Sequence, residues 1–260
     1  MYMLIGIAVL PVIILLVYIY VKDKNEREPL GLLLKAFACG GLVAVVILVI
    51  AFITRLIGLN PWAFAEQSAV MQSFFQAAIP EEGLKFLFLY WLIWNNKEFN
   101  EHFDGIVYAV FVSMGFACVE NILYVFQGGV EVGIARALLS VPGHFLFAVI
   151  MGYYFSRARF RLTHRAGMLI LAVILPVLAH GIYDTLCFVT DMYGEETGLT
   201  SVFFSIFILF DVVLWKIGQK KINRFCHFCG RKIPKGAVYC PFCELYLENP
   251  NENNNINHNK

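Results

Sequence analysis

Eight polar or ionisable side chains stand in stretches of the chain that are otherwise apolar: Glu81, Glu82 and Lys85; Glu120 and Asn121; His144; His180 and Asp184. An ionisable group near the middle of a bilayer costs at least ~2.5 kcal/mol, so each one needs a partner or a function. Two chemistries suit this set. A buried glutamate can act as general base on water while histidines bind a metal or a developing oxyanion, which is peptide hydrolysis. The same residue types can instead relay protons or bind cations, which is transport. Glu81 and Lys85 are four apart and share a helical face, and so do His180 and Asp184. Glu82 lies about 100° round the helix from Glu81 and three residues from Lys85. Gly83 between them is expected to let a neighbouring helix approach.

Each of these residues also has a plainer explanation. Glu81 with Lys85 can be a structural ion pair, and His180 with Asp184 a pair that serves only itself. His144 alone suits a hydrogen-bonded core histidine, and Glu120 with Asn121 an interhelical hydrogen bond. Asp104 is expected at a helix start, where the dipole favours an acid. Asp211 has no evident partner and no catalytic case.

The elements that must position these side chains are membrane helices. Apolar residues make up 59% of the chain, charged residues 15%, and the mean hydropathy is +0.68. A soluble domain carries about a quarter charged residues. Seven apolar stretches of spanning length run over 2–21, 32–52, 71–94, 106–126, 132–155, 167–189 and 199–217. Lipid cannot satisfy a backbone hydrogen bond, so these spans are helical, and the absence of strict alternation argues against a barrel. The fold expected is an all-α polytopic transmembrane bundle over residues 1–220.

Basic residues concentrate in alternate loops: Lys22, Lys24 and Arg27; then Arg157, Arg159, Arg161 and Arg165; then Lys216, Lys220, Lys221 and Arg224. The positive-inside rule puts the N-terminus outside and the C-terminus in the cytoplasm of a cell membrane. On that orientation Glu81, Glu120, His144, His180 and Asp184 all lie about 8 to 18 Å below the outer face, at 1.5 Å per residue. Helices alternating in direction could have put them at opposite ends. Their common depth favours one reactive site. The formal charge of +1 and the lack of a long basic arm give no sign of nucleic acid as a partner.

Beyond the last span the chain reads Cys226-His-Phe-Cys229 and then Cys240-Pro-Phe-Cys243. Two Cys-x-x-Cys pairs at this distance can place four thiolates tetrahedrally round Zn²⁺, so residues 225–246 read as a zinc ribbon. Disulfides are disfavoured on a reducing cytoplasmic side. Four thiolates close the shell to water, which makes this zinc structural or partner-binding, with a cytoplasmic protein as the partner. Residues 247–260, rich in asparagine, are expected to be disordered.

Taken in order, these segments resemble the PrsW family of intramembrane proteases. Ile79-Pro-Glu-Glu-Gly-Leu-Lys85 is similar to that family's Glu-Glu-x-x-Lys motif. Phe103-Asp-Gly-Ile-Val-Tyr108 with Gly115-Phe-Ala-Cys-Val-Glu-Asn121 resembles its second motif. Pro142-Gly-His144 and Ala179-His-Gly-Ile-Tyr-Asp184 resemble its third and fourth. The resemblance covers about residues 1–220 and leaves out the cysteine pairs. It implies an endopeptidase that clips membrane-anchored proteins, such as anti-sigma factors, near the extracytoplasmic face. It implies that Glu81 or Glu82 activates water, that His144 and His180 stabilise the oxyanion or hold a metal, and that Lys85, Glu120, Asn121 and Asp184 support them. Two histidines and a carboxylate suit Zn²⁺; glutamate with histidine donors needs no metal. Two other classes compete: a non-catalytic scaffold presenting the zinc ribbon, and a proton-coupled transporter, which would show internal repeats that this chain lacks.

Overall fold

The computed structural model describes residues 1–23, 27–59, 68–160 and 164–193, with Val202, Ser205, Ile206, Ile208, Leu209, Val212, Val213, Cys226, Cys229, Arg231, Cys240, Phe242 and Cys243 beyond them. Among the described residues regular structure is helical throughout, without a strand. The elements are α1 (Tyr2–Lys22), α2 (Leu30–Leu56), α3 (Ala69–Gln72), a π-helical turn (Ser73–Ala78), α4 (Ile79–Ile93), α5 (Asp104–Leu138), α6 (Ser140–Phe160) and α7 (Arg165–Tyr193). Ser68 caps the start of α3, its Oγ accepting the Met71 N–H at 3.2 Å.

Among the described residues, four stretches are long and apolar enough to cross a membrane: Tyr2–Lys22, Leu30–Leu56, Asp104–Phe160 and Arg165–Val189. The protein is an integral membrane protein. The third stretch would measure roughly 85 Å if straight, nearly three hydrocarbon thicknesses, so it must fold back. The segment Ala69–Ile93 carries the three charges at Glu81, Glu82 and Lys85 and is not among the four. The seventh expected span, 199–217, lies largely outside the described residues, as does Asp211; its described positions are helical.

α5 is the centre of the bundle and packs against α1, α2 and α6. Every residue from Asp104 to Ala117 is buried, as a helix apolar on all sides requires. Close approach is allowed by small residues. A Cβ at Gly115 would fall 1.9 Å from the Phe37 carbonyl oxygen of α2, and one at Gly152 of α6 would fall 2.4 Å from the Gly105 carbonyl oxygen. Ser113 Oγ donates to the His144 carbonyl at 2.9 Å, a further tie between α5 and α6. α1, α2 and α7 turn large apolar side chains outward, among them Leu34, Phe52 and Ile170, as lipid-facing helices do.

One expected boundary is wrong. The fifth stretch, 132–155, is not a single helix. Gly129 adopts φ 75°, ψ −158°, a conformation costly to any residue with a side chain, and it ends the long first limb of α5. A short second limb follows as far as Leu138, and Leu139 (φ −120°, ψ −60°) breaks the chain again before α6. The second limb folds back on its own helix: a Cβ at Gly133 would meet Ile7 of α1 and Val125 of α5. Gly83 also departs from expectation, since no atom lies within 4 Å of a Cβ built there.

Opposite the limb ends of α5, a second polar cluster closes the other end of the bundle. Tyr108 Oη donates to Glu28, and Asp104 Oδ2 accepts the backbone N–H groups of Asn100 (2.9 Å) and Glu101. Asp104 therefore ties back the preceding loop rather than serving only the helix dipole. Trp94, Phe99 and Phe160 pack in the same region around Phe155 and its neighbours, with Arg159 and Arg165 over the Trp94 ring.

Candidate active site

Glu81 and Glu82 open α4, directly after the π-helical turn and Pro80. Pro80 occupies the first turn, where its missing N–H costs little. Both carboxylates are buried, Glu82 completely. Lys85, one turn further on, is 1% exposed and reaches both: its Nζ donates to Glu82 Oε1 at 2.7 Å and to Glu81 Oε2 at 3.4 Å. The i,i+3 partner is thus held more closely than the i,i+4 partner read from the spacing. The Lys85 ammonium also lies 3.9 Å from the centre of the Phe116 ring.

His144 enters from α6. Its Nδ1 faces Lys85 Nζ at 3.4 Å and its Nε2 faces Glu120 Oε2 at 2.9 Å. An ammonium only donates, so Nδ1 accepts and the imidazole proton resides on Nε2, donated to Glu120. His180 enters from α7, its ring 5.3 Å from that of His144 and stacked on Phe147 at 5.0 Å. His180 Nδ1 lies 3.0 Å from Glu82 Oε1, while Nε2 faces Asp184 Oδ2 at 3.4 Å and Glu81 Oε2 at 3.9 Å. Gly181 lets α7 sit against the π-helical turn, since a Cβ there would strike the Phe74 ring at 2.5 Å.

All eight polar residues read from the apolar stretches meet here, from four helices. Asn121 plays a different part from its neighbour: its Nδ2 donates to the Ala8 carbonyl of α1 at 2.7 Å, and its Oδ1 accepts from Arg136 Nε at 2.8 Å. Arg136 is a member of the cluster not picked out from the sequence. It donates from Nη2 to Glu120 Oε2 at 2.6 Å. Its signal is the one that marks Glu81, a charge inside an apolar stretch, but reading 132–155 as one straight span gives it no acid within reach.

A divalent cation suits this donor set. One ligand atom each from Glu81, Glu82, His144 and His180 lies within 4.8 Å of the others, all four side chains being buried. Glu82 Oε2 is buried with no hydrogen-bond partner. Four carboxylates (Glu81, Glu82, Glu120 and Asp184) outnumber the two cations Lys85 and Arg136, a surplus of negative charge that such an ion would offset even with His180, whose two nitrogens both face carboxylate oxygens, in its protonated form. Lys85 occupies the same space and competes for Glu82 Oε1.

The sequence matches the family described as PrsW family intramembrane metalloprotease over residues 28–214. The chain belongs to the PrsW family. The Protease PrsW of Geobacillus kaustophilus is 38% identical over 224 residues, covering 86% of this chain and 92% of that protein. That of Oceanobacillus iheyensis is 38% identical over 219 residues, 84% of this chain and 93% of that protein. That of Bacillus subtilis is 35% identical over 225 residues, 86% of this chain and 96% of that protein. No solved structure matches. This PrsW family member is therefore an intramembrane protease, a hydrolase whose substrates are membrane proteins.

Beyond the family match lie the four cysteines. Their sulfurs lie within 4.8 Å of one another, with Cys226–Cys243 at 3.5 Å and Cys229–Cys240 at 3.6 Å. Tetrahedral zinc with Zn–S about 2.3 Å sets sulfurs roughly 3.8 Å apart, so the group fits.

Proposed function

We propose that Glu81 is the general base of the peptidase and that Glu82, Lys85, His144 and His180 complete its site. The reading rests on one observation: the four residues Glu81, Glu82, His144 and His180, from three helices, bring ligand atoms within 4.8 Å of one another with all four side chains buried. Glu82 is anchored at Oε1 by Lys85 and His180. Glu81 is held more loosely, at 3.4 and 3.9 Å, and is the slightly exposed member of the pair. A base must present its lone pair where water and substrate can reach it, which favours Glu81.

In this scheme Glu81 takes a proton from a water whose oxygen attacks the scissile carbonyl carbon. The C–O bond forms and the carbonyl oxygen becomes an oxyanion, stabilised by imidazole and ammonium donors already fixed by their neighbours. Glu81 then delivers its proton to the amide nitrogen as the C–N bond breaks. A divalent ion held by Glu81, Glu82, His144 and His180 would add Lewis-acid polarisation and a more acidic water. The basic loops orient the chain with its N-terminus outside, so cleavage falls near the extracytoplasmic face, as the first cut in regulated proteolysis of a membrane-anchored regulator. The four cysteines hold a structural Zn²⁺ in a cytoplasmic ribbon at 225–246, a platform for a protein partner.

Glu81→Gln keeps shape and removes the base. Cleavage of a membrane-anchored reporter should fall about 10²- to 10⁴-fold, and proteins accumulating uncut in membranes of cells with that variant would be the substrates. Unchanged cleavage in Glu81→Gln would end this assignment, and unchanged cleavage in Glu82→Gln as well would remove the case for the site. Zinc content of purified protein, compared with a Cys226→Ser/Cys229→Ser variant, separates the ribbon's ion from any other.

A further inference from the structure

We infer that Arg136 is a positioning residue of the protease, holding Glu120 so that His144 is presented to the catalytic carboxylates. The inference rests on the peptidase site proposed above. It starts from an arrangement that the helix alone could not produce. Residues 120 and 136, if carried on one straight helix, would stand about 24 Å apart. The break at Gly129 reverses the chain and brings Arg136 Nη2 to 2.6 Å from Glu120 Oε2. That same oxygen accepts from His144 Nε2 at 2.9 Å.

Arg136 is itself held on two further sides. Its Nε donates to Asn121 Oδ1 at 2.8 Å, and Asn121 is fixed to the Ala8 carbonyl of α1. Its guanidinium lies 4.1 Å from the centre of the Tyr124 ring. A planar fork can bridge a carboxylate and a neighbouring amide at once; a point charge cannot. The chain of contacts runs from α1 through Asn121, Arg136 and Glu120 to His144, and from His144 Nδ1 to Lys85 and the two glutamates. Arg136 touches none of Glu81, Glu82 and His180 in this arrangement and acts through Glu120. Without it, Glu120 would remain a carboxylate with one partner, free to turn away from His144.

The test uses full-length protein in proteoliposomes, with a quenched fluorogenic single-span peptide that the wild type cleaves. Groups that orient a site residue from behind typically change activity 10- to 100-fold. Arg136→Gln should lower kcat by about that factor and leave KM unchanged, because the residue does not meet substrate. Arg136→Lys should recover part of the loss, and Glu120→Gln/Arg136→Gln should be no slower than Glu120→Gln alone, since both act through one contact. Wild-type kcat in Arg136→Gln alongside an inactive Glu81→Gln would overturn the inference and spare the site. So would losses that multiply in the double variant, a test that holds even where Arg136→Gln alone lowers thermal stability. Wild-type cleavage by Glu81→Gln would instead strike the site reading itself.

Discussion

Lys85 is the side chain on which the pocket's charge balance turns. It is 1% exposed and reaches both glutamates and His144. Removing one partner from a buried ion pair leaves a stranded charge and typically costs 3–5 kcal/mol, of order more than the pair contributes. Lys85→Met, similar in length and apolar, should therefore destabilise the protein by about 3–5 kcal/mol at neutral pH. Adding Glu82→Gln should return much of that stability and none of the activity. Thermal unfolding in detergent and reporter cleavage read the two outcomes separately; equal melting temperatures for Lys85→Met and wild type would refute the balance described. At this scale much was legible, because burying Glu81, Glu82, Glu120, His144, His180 or Asp184 in an apolar stretch has one explanation in common. Arg136 shows where that legibility ends. Its meaning depends on a turn seven residues earlier, and nothing in local spacing connects it to Glu120.

At the scale of elements the decisive feature is the interruption of α5. Helix type and approximate extent follow from apolar run length alone, and four of the expected stretches, 2–21, 32–52, 106–126 and 167–189, each lie within one unbroken helical run of the structure. Their breaks do not follow so readily. The pair Gly128-Gly129 reads as an ordinary short loop, yet only one residue departs from helical geometry and the chain doubles back on itself. The π-helical turn before Glu81 is equally silent in the sequence. Gly129, at φ 75° and ψ −158°, tolerates no side chain without strain of about 1–3 kcal/mol. Gly129→Ala should destabilise the fold by that amount and lower cleavage as well, because the second limb carries Arg136. Gly83→Ala is the matched control. Gly83 sits in a helix with open space at its Cβ, so alanine should be neutral or stabilise by up to about 1 kcal/mol. If the two substitutions melt alike, the reversal at Gly129 is not what holds the second limb.

The whole molecule places two buried polar clusters at different levels of one bundle, and only one of them contains the proposed active site. The other, around Glu28, Tyr108 and Asp104, ties the loop after α1 to the start of α5. Its cost is electrostatic. Burial raises the Glu28 carboxyl from its ordinary 4.5 to about 7, and Asp23 and Glu98 push the same way against the lowering effect of hydrogen bonds from Tyr108 and Asp104. An acid that binds its proton more tightly when folded makes the native state the proton-richer one between those two values. Stability must then fall as pH rises from about 4.5 to about 7 and be flat on either side of that window. The full effect of this one group is at most about 3 kcal/mol, at 1.36 kcal/mol per pH unit. Glu28→Gln keeps an oxygen for the Tyr108 hydroxyl and removes the titration. The variant should match wild type near pH 4.5 and be the more stable of the two at pH 8, so that the difference between their melting temperatures opens across the window. A constant difference from pH 4.5 to 8 would show that Glu28 does not exchange its proton on unfolding, and the loop would then owe its place to packing alone.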